Sequence, residues 1–367
     1  MKSKNSKHIE KILIINPYGI GDCLFTTPLI QILKSYNPDI KIAYLVNERT
    51  APIFNNNPHI EKTFIYEKDT FRKLWGSSKK EFFKQLSALL LDVKREKFDC
   101  AVDFSMVQEF SFFCWLAGIK KRIGYNFKNR GVFLTDKLNL TEFKDKHIVE
   151  FYTRLLSLIN ISVDDIPHLS LFIPEFAYKR LEEIVKNHNI DIGSIISVAP
   201  GAGKSWGKDA LYKHWPEEHY SELLDKITGN FDIKVLLIGD SNEKEKCERI
   251  KANCQKQDKI INVAGETNLL EAALIFSKSR VVITNDGGLL HVAVAVNAST
   301  VSIFGPVDEN VYGPYPINDK HIAIKNDTMS CRPCYRKFKF PKCIYGQQCL
   351  KNIKAEAVFK SVCKILK

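Results

Sequence analysis

The sequence predicts an α/β protein with two doubly wound parallel sheets, and three observations carry that expectation. β-rich apolar runs alternate with helical stretches along most of the chain, the pattern of parallel strands covered by helices on both faces. The theme of buried strand, glycine-containing loop and helix opens twice, near residue 11 and again near residue 194. The 367 residues exceed one ordinary domain and suit two of roughly 150–200 residues each.

The first strand is the apolar run Lys11–Ile15, stopped by Asn16-Pro17. The loop Tyr18–Asp22 follows, and then a helix over Cys23–Tyr36. Strands are expected over Lys41–Val46 and Lys62–Tyr66, a long helix over Lys79–Lys97 and a strand over Phe98–Asp103. The apolar run Phe110–Ile119 is too short to span a bilayer and reads as a buried helix. Residues 120–147, crowded with Lys and Arg, read as loops and short strands. A linker containing Asp164-Asp165, Pro167 and Pro174 divides the chain into domains 1–170 and 171–367. The second half runs through strand Ser194–Ala199, loop Pro200–Gly203, helix Pro216–Ile227, strand Val235–Ile238 and helix Glu243–Asn253. It continues with strand Ile260–Val263, helix Leu269–Ser277, strand Val281–Thr284, helix Gly288–Val296 and strand Thr300–Phe304. A last helix is expected over Ala355–Leu366. Two such halves imply a cleft between them, with a nucleotide at the carboxyl ends of the strands.

Composition narrows the class. Apolar residues at 45% and charged residues at 26% are those of a soluble globular protein. No stretch approaches the ~18 uninterrupted apolar residues of a membrane span. The run Ile12–Ile15 behind a basic N-terminus is too short for the core of a secretory signal, so the chain is expected in the cytoplasm. The net charge of +12 suits nucleic acid, an anionic lipid surface or an anionic small substrate, and a lysine-rich genome alone would also produce it. No recognisable nucleic-acid module accompanies the charge, so nucleic acid is not an expected partner.

Two glycine loops bear on phosphate binding. The segment Ser197–Ser205 resembles a P-loop, but that motif needs glycine where Val198 stands, and Trp206-Gly207 interrupts the helix that should follow. A looser role survives, because loop N–H groups beside Lys204 can still touch a phosphate. In Val281–His291 (VVITNDGGLLH) a buried strand ends in Asp286, two glycines follow and a helix begins. N–H groups at that helix start suit a diphosphate; equally, Asp286 could be a helix cap and Gly287-Gly288 a turn. His291 on the same helix reads as a ligand contact or a satisfied core histidine. Asp22, after Gly19 and Gly21, could cap the first helix or serve as the base that deprotonates an acceptor hydroxyl.

Four segments, "NPYGIGDCLFTTPLIQIL", "RIGYNFKNRGVFLTDKL", "APGAGKSWGKDALYKHWPEEHY" and "TNDGGLLHVAVAVNASTVSIFGPVDENVYGPY", occur in order along the chain. Together they resemble the lipopolysaccharide heptosyltransferases of glycosyltransferase family 9. The resemblance implies a GT-B fold, two Rossmann-like domains, with the acceptor bound by the first and a nucleotide sugar by the second. It implies inverting transfer of a sugar, heptose from ADP-heptose, onto the lipopolysaccharide core; a nucleotide-sugar epimerase is the alternative. Asp22 matches the catalytic base. Gly201, Ala202, Gly203, Lys204 and Lys213 match donor-phosphate contacts, and Thr267 the position beside the nucleotide base. Asp286, Gly287, Gly288, Leu289 and His291 match the donor-sugar and diphosphate loop. The acceptor, a lipid-linked phosphorylated glycan, is expected to meet Gly19, Gly21, Lys120, Lys121, Arg122 and Arg130. No cofactor or catalytic metal is required, and the enzyme is expected to sit peripherally on the anionic inner face of the inner membrane.

The ten cysteines of a cytoplasmic protein do not suggest a disulfide framework. Cys331, Cys334, Cys343 and Cys349 form a C-x2-C-x8-C-x5-C cluster. It is compatible with a structural zinc, with buried thiols or with a redox-labile pair.

Overall fold

The run KILII forms β1 (Lys11–Ile15), and every residue after Lys11 is buried. Each such aliphatic side chain contributes roughly 1.5–3 kcal/mol by leaving water; truncating Leu13 to Ala would cost about 2–5 kcal/mol. The structure, a computed structural model, describes residues 9–201 and 203–367, excepting the side chains of residues 204, 205, 206 and 208. Around β1 gather β2 (Lys41–Val46), β3 (Ile60–Ile65), β4 (Cys100–Asp103), β5 (Lys121–Phe127) and β6 (Asp136–Leu140). They form one parallel sheet in the order β3-β2-β1-β4-β5-β6.

The second sheet contains β7 (Ile195–Ala199), β8 (Lys234–Leu237), β9 (Ile260–Asn262), β10 (Val282–Asn285), β11 (Thr300–Phe304) and β12 (His321–Lys325). Its order is β12-β11-β10-β7-β8-β9, again wholly parallel. Counted from its own first strand, each sheet has the doubly wound order 3-2-1-4-5-6. The topological switch points therefore lie between β1 and β4 and between β7 and β10. The chain divides into two compact units, one through Phe143 plus Ile148–Pro167, the other Lys144–His147 plus His168–Lys367.

Several local expectations change. The helix expected over Cys23–Tyr36 is two, Ile20–Leu24 and Thr27–Tyr36, because Pro28 sits in the first turn of the second and cannot continue the first. Helices Lys68–Ser77 and Glu175–Asn187 and strand β12 were not expected. The second of these helices buries Ala177, Leu181 and Ile184, a legible i, i+4, i+7 stripe beyond the linker. The apolar run after Phe110 forms helix Gln108–Leu116, but it is not buried throughout. Phe113 and Cys114 enter the core while Phe112, Trp115 and Leu116 face water. Among the described residues no helix is long and apolar enough to cross a membrane.

Candidate active site

At the second switch point Thr284 of β10 pairs with Ala199 of β7, so the segments leaving these strands start side by side. Asn285, buried at the end of β10, ties them together. Its Nδ2 donates to the carbonyls of Pro200 (2.8 Å) and Gly201 (3.2 Å), while Oδ1 accepts from the Tyr220 hydroxyl (2.9 Å) and the Trp215 N–H (3.3 Å). One amide thus fixes the loop after β7 with both donor and acceptor satisfied. Sequence reasoning missed Asn285; a polar residue closing the buried strand VITN was the available signal.

Glu243 is the second residue missed. Its Oε2 accepts the Asp240 N–H at 3.0 Å, and its carboxylate also accepts from the Gly203 backbone. Burial pushes this carboxyl above its ordinary range, and the backbone donors oppose that rise. A Cβ on Gly201 would stand 1.6 Å from Glu243 Oε1, so a side chain there would displace the Glu243 carboxylate. Gly203 has φ +77°, the left-handed region. Lys204 begins a run of 3-10 turns through Lys213 that breaks at Gly207 (φ 52°), unlike the helix that follows a P-loop. Ala202 and the Lys204 side chain lie outside the described residues.

Lys213 Nζ stands 2.8 Å from Asp286 Oδ2, with side chains only 3% and 5% exposed. Asp286 therefore does not cap the next helix. The N-cap of Gly288–Ala295 is Gly287, in extended conformation, which puts Gly288 and Leu289 in the first turn. His291 is buried one step further along. Burial first, then nearby His147 and Lys213, holds its pKa well below the ordinary value, so the ring is neutral. His147 is itself pushed down to about 4 by burial, with Nε2 3.0 Å from the Gly313 carbonyl. Thr267 is half-buried in the loop after β9, immediately before Asn268, which caps helix Leu269–Lys278.

The first switch point holds Asp22. Gly19 is the N-cap of helix Ile20–Leu24, Gly21 lies in its first turn, and Asp22 is the third helical residue. The Asp22 carboxylate reaches back to accept the Gly19 N–H at 3.2 Å, and Asn16 Nδ2 donates to its carbonyl at 2.8 Å. Ile15 pairs in register with Asp103 at the end of β4. That buried carboxyl is pushed up to about 6 by desolvation, against which the Ser105 N–H at 2.8 Å works. The Tyr18 hydroxyl donates to the Ser105 carbonyl. Burial, then Asp103 and Asp22, raise its pKa, while Arg130 lowers it. Arg130 thus acts electrostatically on the turn that carries Asp22.

The other basic candidates divide. Lys120 and Arg130 are exposed, whereas Lys121 is paired with Asp136 at 2.9 Å. Arg122 donates to the carbonyls of Phe133 (2.6 Å), Lys120 (3.2 Å) and Ile119, which makes it a buttress of its own unit.

All ten cysteines are free thiols. Cys331, Cys334, Cys343 and Cys349 line one cavity of about 440 Å³ with Tyr212, Pro306 and Phe340. Burial and the neighbouring thiols push Cys334 up to about 11. Arg332 pins this loop through the Val307 carbonyl (3.1 Å) and Glu309 (2.9 Å). Among the described residues no three His, Cys, Asp or Glu side chains are arranged to hold a metal ion. The Cys334 thiol hydrogen-bonds with Cys331 and also interacts with Cys349 and Cys343.

Two doubly wound parallel sheets, each with polar and glycine loops at its switch point, are the GT-B architecture. The model of glycosyltransferase family 9 (heptosyltransferase) matches residues 87–344, and the chain belongs to that family. It is 27% identical over 329 residues to lipooligosaccharide heptosyltransferase 2 of Haemophilus influenzae, covering 86% of this chain and 88% of the relative. The structure of ADP-heptose lipopolysaccharide heptosyltransferase II of Escherichia coli superposes with a TM-score of 0.74 at 22% identity, covering 97% and 98% of the two chains. A family 9 glycosyltransferase from Veillonella parvula gives 0.80 at 19% identity, covering 99% of both. The protein is therefore a glycosyltransferase, and the epimerase alternative has weaker support.

Proposed function

We propose that the chain transfers heptose from ADP-heptose to the phosphate-bearing, lipid-linked core of lipopolysaccharide, with inversion at the anomeric carbon. The first unit takes the acceptor and the second the donor. The observation that carries this reading is the loop pair held by Asn285, which grips the carbonyls of Pro200 and Gly201 three residues before helix Gly288–Ala295 begins; the glycine-loop and helix-start N–H groups are the proposed diphosphate donors. Such N–H groups receive a diphosphate and stabilise its charge as it leaves. Glu243, an acceptor group at the N-cap of helix Lys244–Ala252 after β8, suits a ribose diol. The Asp286 carboxylate, pre-oriented by Lys213, faces the sugar hydroxyls.

In the reaction the acceptor hydroxyl gives its proton to the Asp22 carboxylate and its oxygen bonds to the anomeric carbon. The bond from that carbon to the phosphate oxygen breaks, and its electron pair leaves with ADP. Arg130 and Lys120 meet acceptor phosphate. No catalytic metal is required in this scheme. The test is incubation with ADP-heptose and a heptose-deficient core acceptor, followed by mass and anomeric analysis of the product. Inverted heptosyl product supports the reading. Conversion of the donor without acceptor would replace it with epimerisation.

A further inference from the structure

We infer that the outer face of helix Gln108–Leu116, with the loop between β5 and β6, is a docking surface for an anionic lipid bilayer. Phe112, Trp115 and Leu116 are 39%, 52% and 42% exposed, and Val132 on the loop is 66% exposed. The Phe112 ring centroid lies 5.7 Å from Trp115 and 4.9 Å from Phe133, so three aromatic rings form one patch. Such a patch is costly in water and suits the headgroup boundary, where Trp and Phe rings concentrate.

The patch is built, not a loose loop. Arg122 grips the Phe133 carbonyl at 2.6 Å and, through Lys120 and Ile119, the end of the helix. Lys137 Nζ holds the Gly131 carbonyl at 3.0 Å, and Gly131 N–H donates to Asn126 Oδ1 at 3.0 Å. Charge selects the occupant. Lys120, just after the helix, and Lys128 and Arg130, on the same β5–β6 loop as Phe133, are exposed, while Asp136 is paired with Lys121. Exposed cations on the segments that carry exposed aromatics complement anionic headgroups. Position agrees, because Arg130 also acts on Tyr18 at the Asp22 turn. The same face would bring a lipid-linked acceptor to that turn, and this last step rests on the proposed function.

The full chain is tested by co-sedimentation with phosphatidylglycerol vesicles and with phosphatidylcholine vesicles, without donor or acceptor. Binding is expected to the first, to fall with salt, and to drop about fivefold for each cation removed, as in Lys128→Gln. Phe112→Ser/Trp115→Ser should lose binding while keeping its melting temperature and its transfer to a detergent-free, delipidated acceptor. Trp115→Phe should keep binding but lose most of the fluorescence quenching by brominated lipid tails. Unchanged vesicle binding by the double serine variant overturns the inference. So does loss of binding in Trp75→Ser alone, which would put the docking face on the Lys68–Ser77 helix. Absence of heptosyl transfer in every variant, with binding lost only in the double one, counts against the proposed reaction and leaves the docking face standing.

Discussion

Each unit places a carboxylate where a strand gives way to a glycine turn and a helix, and the two carboxylates have different surroundings. Asp22 is half-buried, inside the first helical turn, and reaches back to the Gly19 N–H. Asp286 is almost wholly buried, precedes its helix and is paired with Lys213 at 2.8 Å. The first keeps contact with solvent. The second is shut away from solvent in a contact with the Lys213 amine. Similar local sequence thus yields one carboxylate that touches solvent and one buried beside a cation.

The largest expected effect breaks the first side of this comparison. Asp22→Asn retains an oxygen for the Gly19 N–H, so the melting temperature and ADP binding should hold. Turnover should fall roughly 10²–10⁴-fold, the usual contribution of a positioned base. Normal turnover would remove Asp22 from the reaction.

Lys213→Met breaks the other side. A buried carboxylate left without its cation costs about 3–5 kcal/mol, read in a urea titration. Adding Asp286→Leu removes the stranded charge and should restore much of the stability, though not donor binding. If the single and double variants unfold at the same urea concentration, the pair is not what holds Asp286.

Acidification separates the two units by sign. His147 has a folded pKa of about 4, below the unfolded value near 6.5. Its contribution is present above pH ~6.5, is lost as pH falls, and levels off near 4, at a cost of about 3 kcal/mol. His214 and His321, also pushed down to about 4, act in the same direction. Asp103 is the opposite case, an acid raised to about 6. It penalises the fold above that value and releases about 3 kcal/mol as pH falls from 6 towards ~4. His147→Gln should therefore flatten the loss of stability between pH 6.5 and 4, and Asp103→Asn should steepen it. Matching pH profiles for both variants and the parent would contradict these assignments.

The smallest effect concerns the loop. Gly201→Ala drives a methyl group into the Glu243 carboxylate and should cost about 1–3 kcal/mol by overpacking, together with ADP affinity. Glu243→Ala in the same chain should return the stability but not the affinity, measured by thermal unfolding and calorimetry. Equal ADP affinity in all three proteins would take the loop out of the donor site.

The apolar runs that became β1, β7 and β10 were legible because a strand buried on both faces must be apolar throughout. Alternation with helices then required parallel pairing, and the glycine turns marked where the strands end. Family segments pointed to Asp22 and Asp286. Asn285 and Glu243 were not legible as partners of the Pro200–Gly203 loop, since the contacts join residues 40 to 85 positions apart. Nor could the sequence distinguish Lys121 and Arg122, which are held within the unit, from Lys120 and Arg130, which face solvent. The helix around Trp115 shows why. An apolar run records that burial is available on both sides, but which side is covered depends on the strands that pack beneath it. Sequence by itself determined most of the strands and the turns, because those follow from local periodicity and residue type, and it pointed to the kind of chemistry through the segments that resemble family 9. Tertiary structure alone decided which charges are paired, which aromatics remain in water and which carboxylate stays in contact with solvent, because those depend on neighbours distant along the chain.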